Sequence, residues 1–156
     1  MTVIVTDGKT IASDSLTTFG HERGAAGSQK IFVESGLVFA TSGVAIGQIL
    51  VKWYLDGADP AATPKVGDED WGMLVLDGTD IFHFHAKTPY PLRVGAPFSL
   101  GSGGDYALGA MHHGASPQEA TAIAIKLCTA CGGEIQSVDI AEATGKAEGT
   151  KLRVVE

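Results

Sequence analysis

Short apolar bursts, separated by Asp-Gly or Ser-Gly pairs, dominate this chain, and stretches at helical spacing interrupt them in three places. Val3-Ile4-Val5 and Ile11-Ala12 flank Asp7-Gly8, which predicts a hairpin that carries Asp14 back toward Thr2. Lys30 to Glu34 and Leu37 to Thr41 flank Ser35-Gly36 as a second hairpin. Gly72 to Leu76 and Asp80 to His85 flank Asp77-Gly78 as a third, and Leu92 to Val94 and Phe98 to Leu100 are short strands. Thr17 to Gln29 is rich in Gly and polar residues and reads as a loop.

The first helix is expected over Ala45 to Asp56, where Ile46, Ile49, Leu50, Trp53 and Tyr54 fall on one face and Gly57 stands at the C-cap. Asp59 to Asp70 is a connection. Gly101-Ser102-Gly103-Gly104 opens a second helix, Asp105 to His113. Ser116-Pro117-Gln118-Glu119 is a capping box with Pro in the first turn, starting a third helix that runs to about Cys131 and stops at Gly132-Gly133. Glu134 to Ile140 and Lys151 to Val155 supply closing strands around a polar turn, Thr144 to Gly149. Strands, helix, strands, two helices, strands, joined by hairpins, predict an α+β fold of antiparallel sheets covered by helices. A four-layer αββα sandwich fits that order, although periodicity alone does not choose it.

At 156 residues the chain is expected to form one domain, 1–156, with room for a real core. Hydrophobic residues at 44% against 19% charged leave apolar surface to bury against other subunits. The formal net charge of -7 argues against nucleic acid or an anionic membrane as partner. No stretch reaches the roughly 18 apolar residues of a membrane span and no signal peptide opens the chain, so the expected location is the cytoplasm.

Thr2 follows the initiator Met, and a small residue there permits removal of Met1. A threonine whose own α-amine stands beside its hydroxyl is a nucleophile with a built-in base, needing no histidine. That amine has a reference pKa of about 7.7–8.0, close enough to neutrality to accept the proton directly or through water. Taken singly, each candidate also has an ordinary explanation: Thr2 as a processed terminus, Asp14 as a turn residue, Lys30 as a solvated strand start. Gly101-Ser102-Gly103-Gly104 fails the dinucleotide and phosphate-loop spacings. Cys128-x-x-Cys131 has no second pair at zinc-ligand spacing and closes a helix instead of opening one, so it reads as two small hydrophobes. His83 and His85 share one strand face and read as sheet side chains.

Taken together in order, Thr2, Asp14-Ser15 within ASDSLTT, Lys30, Gly43 and the Gly101 to Gly104 loop resemble the proteasome β-subunits and the related bacterial ring peptidases. The similarity covers almost the full length, and it implies the N-terminal-nucleophile hydrolase fold. It also implies roles. Thr2 Oγ attacks a peptide carbonyl, Lys30 favours the alkoxide, Asp14 orients that ammonium, the Gly43 N–H forms the oxyanion hole, and Ser102 completes the network around the amine. Thr17, Thr18, Ser28, Phe32, Thr41, Ala45 and Ile49 match the substrate pocket, and none is charged. The chain departs from the family where many proteasome subunits carry Asp before Ser-Gly-Gly: here the run is Cys128-Thr129-Ala130-Cys131-Gly132-Gly133. It also has only Met1 in place of a propeptide.

The function this implies is a threonine-type endopeptidase subunit of a homo-oligomeric ring or double ring that cleaves peptides or unfolded proteins. It uses no metal or organic cofactor, and any ATP use belongs to a separate unfoldase, because the chain carries no nucleotide motif. Two alternatives remain at this stage: an inactive ring-forming protein that kept the fold, and a non-proteolytic amide hydrolase.

Overall fold

The computed structural model describes residues 2–19, 22–24, 27–65 and 70–145. Strand β1 (Ile4–Thr6) pairs antiparallel with β2 (Thr10–Ser13), Ile4 opposite Ser13 and Thr6 opposite Ile11. Asp7 closes the turn by accepting the N–H groups of Lys9 and Thr10 at 2.8 Å each, while Gly8 takes φ +89. The segment read as a loop contains a two-stranded ribbon, β3 (Thr18–Phe19) with β4 (Glu22–Arg23). Its strands are too short for an alternating pattern to register among the glycines.

β5 (Ile31–Glu34) and β6 (Leu37–Ser42) join through Ser35 and Gly36, both at positive φ (54 and 71), the geometry a tight two-residue hairpin turn requires. After α1 (Gln48–Leu55), β7 (Gly72–Leu76) and β8 (Ile81–His85) repeat the Asp-Gly device, with Asp77 accepting from Thr79 at 2.8 Å and Asp80 at 2.7 Å. β9 (Thr88–Val94) is longer than the expected Leu92 to Val94. Pro89 and Pro91 hide it in the sequence, but it lies at the sheet edge, where a missing N–H costs no ladder bond. The order of this sheet is β5-β6-β7-β8-β9.

β10 (Phe98–Leu100) pairs with β1, and β11 (Gln136–Asp139) pairs with β2, giving the second sheet, β10-β1-β2-β11. Between them in sequence come α2 (Gly104–His112) and α3 (Pro117–Leu127). The capping box at Ser116 and Glu119 is fully formed. Helix α1 starts at Gln48, so Ala45 and Ile46 belong to its approach; Gly47 is the N-cap. Helix α3 ends at Leu127, and Cys128 to Cys131 form a turn beyond it. Ile140 opens α4 (Ile140–Thr144) instead of ending a strand, because Asp139 caps it by accepting the Glu142 N–H at 3.0 Å. The closing strand expected at Lys151 to Val155, and most of the turn before it, lie outside the described residues.

Period-two alternation divides the apolar residues into three buried layers. Ile4 and Ile11 of one sheet meet Val38, Leu74, Leu76 and Ile81 of the other, with Ile140 among them. On the far side of the larger sheet, Phe39, Met73, Val75 and Phe84 face Leu50, Val51 and Trp53 of α1. Trp53 makes edge contacts with Trp71 and Phe84 at centroid separations of 5.9 and 5.7 Å, anchoring this helix. On the far side of the smaller sheet, Val3 and Val5 pack on Ala107, Ala120 and Ala124 of α2 and α3. Alanines there let the helices approach closely. The four layers αββα expected from the element order are therefore present.

Candidate active site

The candidate site residues gather where β1 begins. Asp14, fully buried after β2, accepts the Val3 N–H at 3.1 Å and the Lys30 ammonium at 2.7 Å on Oδ1, and the Gly132 N–H at 3.0 Å on Oδ2. The hairpin supplies the first contact, the start of β5 the second, and the turn after α3 the third. Lys30 Nζ also donates to the Leu16 carbonyl at 2.7 Å. Only 7% of Lys30 is exposed. Two opposite charges out of water are costly unless closely paired and further hydrogen-bonded, and these are both.

Thr2, 3% exposed, is fixed through its backbone. Its carbonyl accepts the Gly103 N–H at 3.1 Å, and the next residue's N–H is the one held by Asp14. Gly101 stands at φ +90, and a Cβ there would overlap the Thr2 carbonyl, so only glycine lets this loop close on Thr2. Ser102 lies between these two clamps, exposed, with Cys128 Sγ 3.7 Å from its hydroxyl. Cys128 thus fills the place beside Ser102, and is a polar contact as well as a small hydrophobe; Cys131 is buried in the core as expected.

Gly43 follows β6, exposed, at φ +80, with Trp71 so near that a Cβ would come within 2.9 Å of its Cα. Two residues earlier, the Thr41 N–H bonds to the Lys30 carbonyl at 2.9 Å, which places Gly43 at the Lys30 end of the sheet. Leu100, just before the Thr2 clamp, faces Gly72, the strand partner of Ser42. Thr2, Asp14, Lys30, Gly43 and Ser102 therefore occupy one end of the sandwich. A cavity of about 410 Å³ lined by Gly8, Gly78, Asp80, Arg93 and Ile140 opens at the opposite, hairpin-turn end.

The residues expected to form the pocket divide. Thr17 and Ser28 hydrogen-bond through their hydroxyls, both half-buried, with Thr18 beside them at the start of β3. Thr41 and the Phe32 ring meet over Gly47, where any side chain would collide with both. Phe32 itself is buried in the layer under α1, while Ala45 is exposed at the helix approach and Ile49 is exposed in the first turn of α1. Sequence reasoning missed Gly47, Gly132 and Gln136. Gln136 accepts the Lys30 N–H at 3.2 Å and donates to the Ser28 carbonyl at 2.8 Å, tying the two groups together. Only the glycine pair Gly132-Gly133 left a signal, and it read as a helix stop.

His83 and His85 do share a face, their rings 6.3 Å apart. Burial, helped by the charge of His85, holds His83 below the ordinary imidazole value. Among the described residues no three His, Cys, Asp or Glu side chains gather as a metal site, and no helix is long and apolar enough to cross a membrane.

No family model matches the chain, and no curated protein matches it significantly. Solved structures do. BPH of Thiobacillus denitrificans superimposes with a TM-score of 0.68 in its complex with Epoxomicin and 0.67 in a second structure, at 20% identity, covering 88% of this chain and 97% and 96% of those. Eukaryotic HslV from Trypanosoma brucei superimposes at 0.68 with 14% identity, covering 88% of this chain and 97% of its own. This is the fold of the proteasome-like hydrolases. The αββα order read from the sequence and the sheet orders seen here agree with it.

Proposed function

We propose that the chain is a threonine-type peptidase subunit of a self-compartmentalising ring, active once Met1 is removed and Thr2 becomes the N-terminus. The observation that carries this is the buried Asp14–Lys30 pair bonded to the N–H of Val3, the residue next to Thr2. A buried ion pair is a poor way to gain stability, so its position against the nucleophile calls for a chemical reason.

In this reading the Thr2 amine takes the proton from Oγ as the oxygen attacks a peptide carbonyl, giving a tetrahedral intermediate and then an acyl-enzyme that water hydrolyses. Lys30 lowers the energy of the alkoxide by its charge, and Asp14 holds it in place. Gly43 donates its N–H to the oxyanion, an interaction worth roughly 2.7–4 kcal/mol when well placed. Ser102 bonds to the amine. Thr17, Thr18, Ser28, Phe32, Thr41, Ala45 and Ile49 form the pocket for the residue on the acyl side of the scissile bond. Lacking a charge, that pocket favours apolar residues, since an unpaired charge is costly to bury.

Assembly is supported by apolar side chains left on the helices: Ile46, Ile49 and Leu55 at α1, and Tyr106, Ile123 and Leu127 on α2 and α3. A closed ring in the cytoplasm, fed by a separate ATP-driven unfoldase, keeps such a nucleophile from folded proteins. The test is hydrolysis of fluorogenic peptides by the purified protein and by Thr2→Ala. Cleavage after apolar residues, faster than after Arg or Glu and absent from Thr2→Ala, is expected. A ring with no cleavage and no Thr2-dependent labelling would instead support an inactive structural protein.

A further inference from the structure

The turn from Cys128 to Cys131 places two thiols against the loop that clamps Thr2. The Cys131 N–H bonds to the Cys128 carbonyl at 3.2 Å, so the four residues close a tight turn. Such a turn brings its end Cα atoms within about 7 Å, overlapping the 4.4–6.8 Å span of disulfides. Cys128 is half-buried and reachable, whereas Cys131 lies inward, 2% exposed, beneath Gly103. A Cβ on Gly103 would lie only 2.7 Å from Cys131 Sγ. On the other side, Cys128 Sγ faces the Ser102 hydroxyl at 3.7 Å.

We propose that Cys128 and Cys131 are a redox-active pair that closes to a disulfide when it meets a small-molecule disulfide, withdrawing the thiol from Ser102 and loosening the Gly101 to Gly103 clamp on Thr2. The closure stands apart from the peptidase reading; only its effect on Thr2 chemistry rests on it. The Cys128 thiolate attacks one sulfur of the oxidant, forming a mixed disulfide and expelling one small thiolate, which takes up a proton. Cys131 then loses its proton to solvent, and its sulfur attacks Cys128 Sγ and expels the second small thiolate. Two protein thiols and one small disulfide become one protein disulfide and two small thiols, with no further oxidant.

The roles follow from the surroundings. Burial is the largest single influence on the Cys128 thiol and pushes it up, but hydrogen bonding with Ser102, Cys131 and the Ala130 backbone together holds it below its ordinary value, which suits the attacking sulfur. Cys131 is pushed up to about 12, first by burial and then by Cys128 and Asp14. What Cys128 contributes to that rise disappears once its sulfur is in the mixed disulfide, so the second step is enabled by the first.

The experiment exposes the reduced full chain to glutathione disulfide, quenches with iodoacetamide, and reads intact mass together with hydrogen exchange of the peptide containing Gly103. The expected product is two hydrogens lighter than the reduced protein, carries no alkyl group and reverts with dithiothreitol. Cys131→Ser is expected to stop with one glutathione on Cys128, and Cys128→Ser to remain unmodified. Exchange at the Gly103 N–H should rise about threefold or more in the oxidised protein, as loss of one hydrogen bond predicts. Two alkylated thiols after excess oxidant, or a wild-type chain that stops at the mixed disulfide, would overturn closure. Closure with unchanged exchange would overturn the coupling to Thr2. Neither readout needs peptidase activity, so an inactive protein would refute the peptidase reading without touching this one.

Discussion

Replacing Lys30 by Met removes the ammonium and leaves Asp14 as a carboxylate with no exposure to solvent. Orphaning one member of a buried pair costs about 3–5 kcal/mol. Asp14 keeps the Val3 and Gly132 N–H groups at 3.1 and 3.0 Å, which argues for the lower end. The Leu16 carbonyl meanwhile loses its donor, adding about 1 kcal/mol. The expected loss is therefore about 3–4 kcal/mol, or roughly 10 °C in Tm for a domain of this size. Adding Asp14→Asn removes the stranded charge but turns an amide donor toward one of the backbone N–H groups, so the double variant should recover about 1–2 kcal/mol relative to Lys30→Met. Urea unfolding followed by circular dichroism, at one protein concentration, reads all the variants, and peptide hydrolysis should be abolished in each. A Lys30→Met protein within about 1 kcal/mol of wild type that still hydrolyses peptides would refute the assignment of this pair to the site.

Gly101→Ala forces a Cβ onto the Thr2 carbonyl, and displacing Thr2, the proposed nucleophile, should lower kcat about a hundredfold. Gly95→Ala meets no atom within 4 Å and serves as the control, with stability within about 0.5 kcal/mol of wild type. His83 has a pKa below that of the unfolded chain, so the folded state binds this proton less readily than the unfolded one. Its contribution is intact above about pH 6.5 and is lost as pH falls below that value, so Tm should decline on acidification and His83→Phe should flatten the decline. Gly47→Val should reduce turnover and raise KM for apolar substrates, because its side chain would collide with Thr41 and Phe32.

The hairpins were legible because each is specified within a few residues. Asp7 and Asp77 bond their own turns, and Ser35-Gly36 supplies the two positive φ values. The Ser116 to Glu119 cap was equally local. The residues gathered around Thr2 were named through a resemblance in order and spacing, and the fold now brings Asp14, Lys30 and the Gly101 to Gly104 loop to that end of β1. What stayed hidden depends on distant backbone. The Gly132 N–H reaches Asp14 across 118 positions and Gln136 reaches Ser28 across 108, and neither residue type announces such a partner. Cys128 was hidden differently: α3 ends at Leu127, and the turn that follows exposes one thiol to Ser102 while burying the other. β9 was masked by prolines tolerated only because it lies at an edge.

Whether Thr2 acts as an N-terminal nucleophile can be read from intact mass before and after treatment with Epoxomicin, the compound bound to BPH. A natively purified chain is expected to lack Met1 and to gain one Epoxomicin per subunit, with no gain in Thr2→Ala. A chain that keeps Met1, or one that lacks it and takes up no Epoxomicin, would contradict that role for Thr2.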